Sequence, residues 1–91
     1  MGSAKKQVRV LPEGDAKTQY QYAFGYLRKR EFQQAELALK EFLTTHPDDP
    51  LVPNAMYWLG ETYYTRGKYE DAAEIFISGY EQHSESSKTP D

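Results

Sequence analysis

Displaced by 37 positions, the chain falls on itself. The shift sets Tyr26 on Tyr63, Phe32 on Tyr69, Ala35 on Ala72 and Leu39 on Phe76. It also carries Ala23 onto Gly60, His46 onto His83, Pro53 onto Pro90 and Asn54 onto Asp91. Small, aromatic and turn residues coinciding at one offset mark internal repetition. A repeat of this length is one supersecondary unit, which buries its apolar face only by stacking on a neighbour. Two units fill most of the chain, and the residues from 85 onward read as the start of a third.

Within each unit apolar residues recur at three- and four-residue steps, the period of an amphipathic helix. Tyr22, Ala23 and Tyr26 do so between about Asp15 and Arg28, and Met56, Leu59, Gly60 and Tyr63 between Pro53 and Arg66. A short polar break follows, Arg28-Lys29-Arg30-Glu31 in one unit and Thr65-Arg66-Gly67-Lys68 in the other. Second helices are expected from about Phe32 to Thr45 and from Tyr69 to Gln82. Their inner faces carry Ala35, Ala38, Leu39, Phe42 and Leu43, then Ala72, Ile75, Phe76 and Tyr80. Each unit is therefore a helix hairpin, and the fold class is all-α.

The punctuation agrees with this. Gly67 suits the positive-φ residue that ends many helices, whereas Arg30 at the equivalent place lacks glycine's freedom. Pro47 stops one helix and Pro53 fits the first turn of the next. The stretch from His46 to Glu61, three prolines ahead of an apolar run, is the joint between units. Ala23 and Gly60 on the first helices, with Ala35 and Ala72 on the second, are small enough to let two backbones approach. Neighbouring Tyr and Phe rings fill the remaining space.

Ninety-one residues allow one small domain. A net charge of −3 argues against a phosphate-backbone binder. The absence of Cys removes disulfides and thiolate chemistry without choosing a compartment. No apolar run approaches a membrane span, so no membrane insertion is expected. No signal peptide is visible, and Met1-Gly2-Ser3 looks like a cloning remnant, so the natural N-terminus is expected to be missing. Residues 1–14 then read as tag residue and flexible linker, 15–47 as the first repeat and 48–52 as an inter-repeat loop. The second repeat is placed at 53–84, and the truncated start of another at 85–91.

Candidate chemistry reduces to simpler explanations. His46 and His83 occupy one place in successive units, so duplication accounts for both, and stacking holds them apart. Asp48 and Asp49 lack the spacing and glycine of a calcium loop. Glu70, Asp71 and Glu74 complement a helix N-terminus. No phosphate-binding glycine loop and no nucleophile motif is present. The reading is of a non-enzyme with no catalytic residue, cofactor or metal.

The pattern Met56-x-x-Leu59-Gly60-x-x-Tyr63, then Ala72-x-x-x-Phe76, resembles the tetratricopeptide repeat. Met56 stands in the Trp slot, with Trp58 two residues on, and Ser84 stands where the closing Pro is usual. The first unit has Tyr22-Ala23-x-x-Tyr26, Ala35-x-x-x-Leu39 and the expected Pro47. The resemblance implies a fragment of a right-handed α-solenoid. The longer run from His46 to Tyr64, followed by Gly67-Lys68-Tyr69-Glu70-Asp71-Ala72-Ala73, is similar to the periplasmic Tol-Pal accessory family YbgF, also called the cell division coordinator family CpoB. That similarity covers roughly Asp15 to Asp91. It implies a periplasmic role coupling outer-membrane constriction to septal peptidoglycan synthesis, with TolA and a peptidoglycan synthase as partners. Other envelope assembly proteins use related repeats, and an accessory domain of an enzyme is a further alternative.

In such an array the first helix of each pair lines the concave surface. The register places Tyr20, Phe24 and Arg28 there from one unit, and Asn54, Tyr57, Trp58, Glu61 and Tyr64 from the next. Rings with polar tips are typical anchors for a peptide or helix. Tyr20, Phe24 and Trp58 serve equally as packing between units, leaving Tyr57 and Tyr64 the stronger binding candidates. The lysine and asparagine set of chaperone carboxylate clamps is not reproduced, which argues against a cytosolic co-chaperone. Ala73, Ile77 and Tyr80 are expected to face outward from the last helix, and this open repeat face predicts self-association.

Overall fold

The computed structural model describes residues 9–83, and the calls made above for residues 1–8 and 84–91 lie outside them. Four helices follow in order: α1 (Ala16–Arg28), α2 (Phe32–Thr45), α3 (Val52–Thr65) and α4 (Tyr69–His83). Extensive packing occurs between α1 and α2, α2 and α3, and α3 and α4, all neighbours in sequence. The expected all-α hairpin repeat is what the chain forms.

The two turns inside the hairpins close in the same way. Glu31 N donates to Tyr26 O (2.9 Å) and Arg30 N to Leu27 O (2.9 Å); in the second unit Lys68 N donates to Tyr63 O (2.8 Å) and Gly67 N to Tyr64 O (3.0 Å). Both are Schellman ends, which need a left-handed residue. Gly67 supplies it at φ 79°, and Arg30 adopts it at φ 60° despite its side chain. At the other ends, the Asp15 carboxylate accepts from Thr18 N (2.9 Å) to cap α1. That bond is the main cause holding the Asp15 carboxyl below its ordinary range. In the joint, the Asp49 carboxylate accepts from Leu51 N (2.8 Å) and turns the chain into α3. Thus Asp49 shapes the loop.

The core lies mainly between α2 and α3. Ala38, Leu39 and Phe42 meet Val52, Ala55, Met56 and Leu59, with Ala23 from α1. Ala23, Ala35 and Ala72 are buried as their small size requires, and Gly60 faces the Phe76 ring so closely that a β-carbon would overlap it. Glu36 of α2 pairs with Arg66 at the end of α3 and with Lys40 (3.2 Å). Burial raises the Glu36 pKa, but the hydrogen bonds from Arg66 and Lys40 and their charges outweigh it, leaving the carboxyl below its ordinary value.

Three features depart from the expectations. Residues 9–14 differ from a flexible linker: Val10 N (2.7 Å) and Leu11 N (3.1 Å) donate to Glu41 Oε1, and both side chains pack on the core. Gln19 Nε2 donates to Pro12 O (2.6 Å), and His46 Nε2 donates to Gln19 Oε1 (2.8 Å). This strap stays down because its apolar pair covers core residues while its backbone donors find buried acceptors. Tyr22, counted above with Ala23 and Tyr26 in the apolar period of the first helix, is 48% exposed, with its ring edge-on to Tyr26 (5.5 Å). Tyr80 is 74% exposed, on the open edge of α4 beside Pro53 and Tyr57 of α3.

Candidate protein-binding face

Aromatic rings run without a break from α1 through α3 to α4. Tyr20 stacks near Phe24 (6.3 Å between centroids), Phe24 meets Trp58 edge-on (5.4 Å), Trp58 meets Tyr57 (5.1 Å), and Tyr57 reaches Phe76 (5.9 Å). A step of four places Tyr20 and Phe24 on one side of α1, whereas the consecutive Tyr57 and Trp58 diverge by about 100° and carry the run from α1 to α4. Ring pairs of this geometry contribute about 0.5–1.5 kcal/mol each beyond burial. The run therefore fixes the angle between the first helices of the two units.

The candidate residues take different positions on this frame. Tyr20 is partly buried and also meets Phe42 edge-on (5.8 Å). Burial pushes its phenol pKa up, against the opposing effect of hydrogen bonds with Asn54 and Trp58. Tyr20 thus joins the two units. Phe24 and Trp58 are partly buried against each other, and the exposed Arg28 guanidinium lies over the Phe24 ring at 5.4 Å. Asn54 is exposed and Glu61 partly buried. Tyr57 is half exposed, and the charge of Glu61, followed by a hydrogen bond to it, raises the Tyr57 pKa. Tyr64 is 59% exposed and contacts Tyr69 (5.1 Å), away from the Phe24–Trp58 contact.

The surface therefore divides in two. Phe24, Arg28, Asn54 and Trp58 cluster where α1 meets α3, with Asn54 beside Tyr20 at one end and Arg28 at the other, while Glu61 lies beside Tyr57. Tyr57 and Tyr64 instead form one wall of an apolar cleft between α3 and α4. Its larger part, lined by Tyr64, Tyr69, Ala72, Ala73 and Phe76, has a volume of about 460 Å³. The sequence reading put Phe76 on the inner face of the last helix and Tyr69 only at that helix's start. The usable signal was the 37-residue shift applied to Leu27, Phe32, Ala35 and Leu39, which line the corresponding place in the first unit.

Among the described residues no group of three His, Cys, Asp or Glu side chains is placed to hold a metal. No described helix is long and apolar enough to cross a membrane. His46 is engaged with Gln19, and its ring also lies 5.1 Å from that of Phe42. The His83 side chain lies outside the description.

The order of four helices, the twin Schellman turns and the small-to-large contacts at Gly60 and Ala72 agree with comparison to known families. The tetratricopeptide repeat model matches residues 25–86. The chain belongs to the tetratricopeptide repeat family. Among curated relatives it is similar to the cell division coordinator CpoB of Pseudomonas putida, at 35% identity over 51 residues, 56% of this chain and 19% of that protein. It is similar also to the cell division coordinator CpoB of Escherichia coli, at 37% over 57 residues, 62% of this chain and 22% of the relative. The chain spans about a fifth of the length of these relatives. No solved structure matches it. In repeat terms, Met56, Leu59, Gly60, Tyr63, Ala72 and Phe76 are the second unit's signature positions. Five of the six are buried or partly buried side chains, and Gly60 provides the close contact.

Proposed function

We propose that the chain is a non-catalytic protein-binding module whose face at the α1–α3 meeting recognises a segment of another protein. The supporting observation is the Phe24–Trp58 pair, which presents partly open aromatic surface beside Arg28. Aromatic and Arg groups in a water-poor setting are the usual anchors of a protein contact. The Arg28 charge at one end, against the neutral Asn54 at the other, gives a bound segment direction.

By its likeness to the cell division coordinators of Pseudomonas putida and Escherichia coli, the module acts in the coordination of cell division. The fuller reading is a periplasmic role linking outer-membrane constriction to septal peptidoglycan synthesis, with TolA and a peptidoglycan synthase as partners. The test is titration of labelled TolA fragments into wild type and into Arg28→Glu combined with Asn54→Ala, both at exposed positions. Binding at least about tenfold weaker in the variant is expected, about 1.4 kcal/mol. Equal affinity for wild type and variant refutes the placement of the face.

A further inference from the structure

The helices that build the α1–α3 face carry a charge pattern opposite to that of the whole chain. The net charge is −3, yet α1 holds Lys17 and Arg28 with no acidic residue, and α3 holds Glu61 with no Lys or Arg. Glu61 itself is taken up in a hydrogen bond with Tyr57. The acids gather on the second helices, two in α2 and four in α4, with Lys40 the single Lys or Arg between them. The side built from first helices is thus poor in acid, and the side built from second helices is rich in it. Such segregation sets the sign of what approaches each side.

Arg28 is the cation placed to act on this face. A helix end favours a positive group, and the stack of the guanidinium on the Phe24 ring at 5.4 Å holds it beside the Phe24–Trp58 pair. Among the described residues the ion pairs are Arg9 with Glu41, and Lys40 and Arg66 with Glu36, so no carboxylate takes Arg28. A guanidinium lying on a ring keeps its in-plane N–H donors free for a carboxylate. The two walls of this valley, α1 and α3, belong to successive units packed together through α2. The valley is therefore complete within the described residues.

The spacing defines the segment that fits. Arg28 follows Phe24 by one step of four, about 6 Å along the helix, and Tyr20, with Asn54 beside it, precedes Phe24 by the same step. An extended chain repeats its side chains on one face every second residue, about 6.6 Å apart. Resting on the reading of this face as a protein-binding surface, we infer that it binds an extended acidic segment in which an Asp or Glu lies two residues from an apolar one. The apolar side chain lies on the Phe24–Trp58 pair and the carboxylate reaches Arg28. The backbone beyond them meets the neutral Tyr20–Asn54 end.

The test uses the 91-residue chain and the fluorescence of Trp58, its one tryptophan, so the peptides need no label. Three amidated twelve-residue peptides in a Gly/Ser background carry Phe-Ser-Glu, Phe-Ser-Lys or Phe-Glu-Ser at their centre. Phe-Ser-Glu is expected to bind at least about fivefold more tightly than either of the others, with affinity falling as salt rises. Two substitutions at exposed positions separate local from overall charge. Arg28→Glu is expected to weaken Phe-Ser-Glu about tenfold and to strengthen Phe-Ser-Lys, a reversal that lost packing alone does not give. Lys29→Glu changes the net charge equally but acts at the Tyr26 ring, and is expected to leave both peptides unchanged. The inference is overturned by equal binding of Phe-Ser-Glu and either other peptide, by no response to any of the three, or by equal weakening in the two variants. A dimer in sedimentation equilibrium that Arg28→Glu dissolves also overturns it, in favour of a second copy's acidic helices. If the peptides fail while TolA fragments still bind Arg28→Glu with Asn54→Ala more weakly, the face stands and only the acidic segment falls. If that double variant is also without effect, the face falls with it.

Discussion

A methyl group at Gly60 would lie 2.7 Å from two carbons of the Phe76 ring, inside van der Waals contact. The equivalent pair in the first unit is Ala23 and Leu39, both fully buried. The two hairpins therefore solve one packing problem with opposite choices, glycine against phenylalanine or alanine against leucine. Gly60→Ala gains up to about 1 kcal/mol of helix propensity and loses about 1–3 kcal/mol through overpacking. The net effect expected is a loss of about 1 kcal/mol, with Tm lower by about 4–8 °C. Phe76→Leu alone is expected to cost about 1 kcal/mol in lost contact. The double variant rebuilds the first unit's pair, so its cost should fall below the sum of the singles by at least about 1 kcal/mol. Urea unfolding followed by circular dichroism measures all four proteins. Gly25→Ala is the control, since a β-carbon there meets nothing within 4 Å, and it should be stabilising. Additivity of the two singles, or a stabilised Gly60→Ala, refutes the reasoning.

Arg30→Gly should raise stability by about 0.5–1 kcal/mol, because left-handed strain at φ 60° exceeds the added freedom of the unfolded chain; a lower urea midpoint refutes it. Ala72→Leu at a 2% exposed site should cost about 1–3 kcal/mol by overpacking, read as a lower Tm. The Glu36 carboxyl is depressed by its cationic partners, so its contribution is present above the ordinary value of 4.5 and is lost as pH falls through the lower folded value. Urea midpoints between about pH 5 and 3 should accordingly fall more steeply in wild type than in Glu36→Gln. Arg66→Ala should cost about 1–2 kcal/mol at pH 7, between exposed and buried pairs, and parallel acid profiles for all three proteins count against the pairing.

The hairpins were legible because their determinants are local and repeated. Gly67 announced a left-handed turn, and the shift of 37 transferred it to Arg30, where residue preference alone would not suggest it. Ala23, Ala35 and Ala72 were readable as contacts because small residues at helical spacing serve few other purposes. The strap was not legible. Its anchor Glu41 lies 31 residues from Val10 and its anchor Gln19 7 residues from Pro12, and nothing in a polar side chain's identity announces that it is turned inward. Tyr22 misled for the related reason that tyrosine satisfies either side of a helix. On the binding face, periodicity put Tyr57 and Trp58 together on one helix flank. It could not divide that flank between the meeting with α1 and the cleft with α4, because neighbouring rings part according to contacts the other helices supply.

The position of the core has a further consequence. Duplication copied a segment made of α1 with α2, yet fully buried Leu39 and Phe42 of α2 meet Val52, Ala55 and Met56 of α3 across the copy boundary, while α3 packs most extensively on α4 within its own unit. Burial thus runs through the boundary rather than stopping at it, so neither copied segment should open alone as a unit. An added unit would stabilise the array by creating another boundary of this kind.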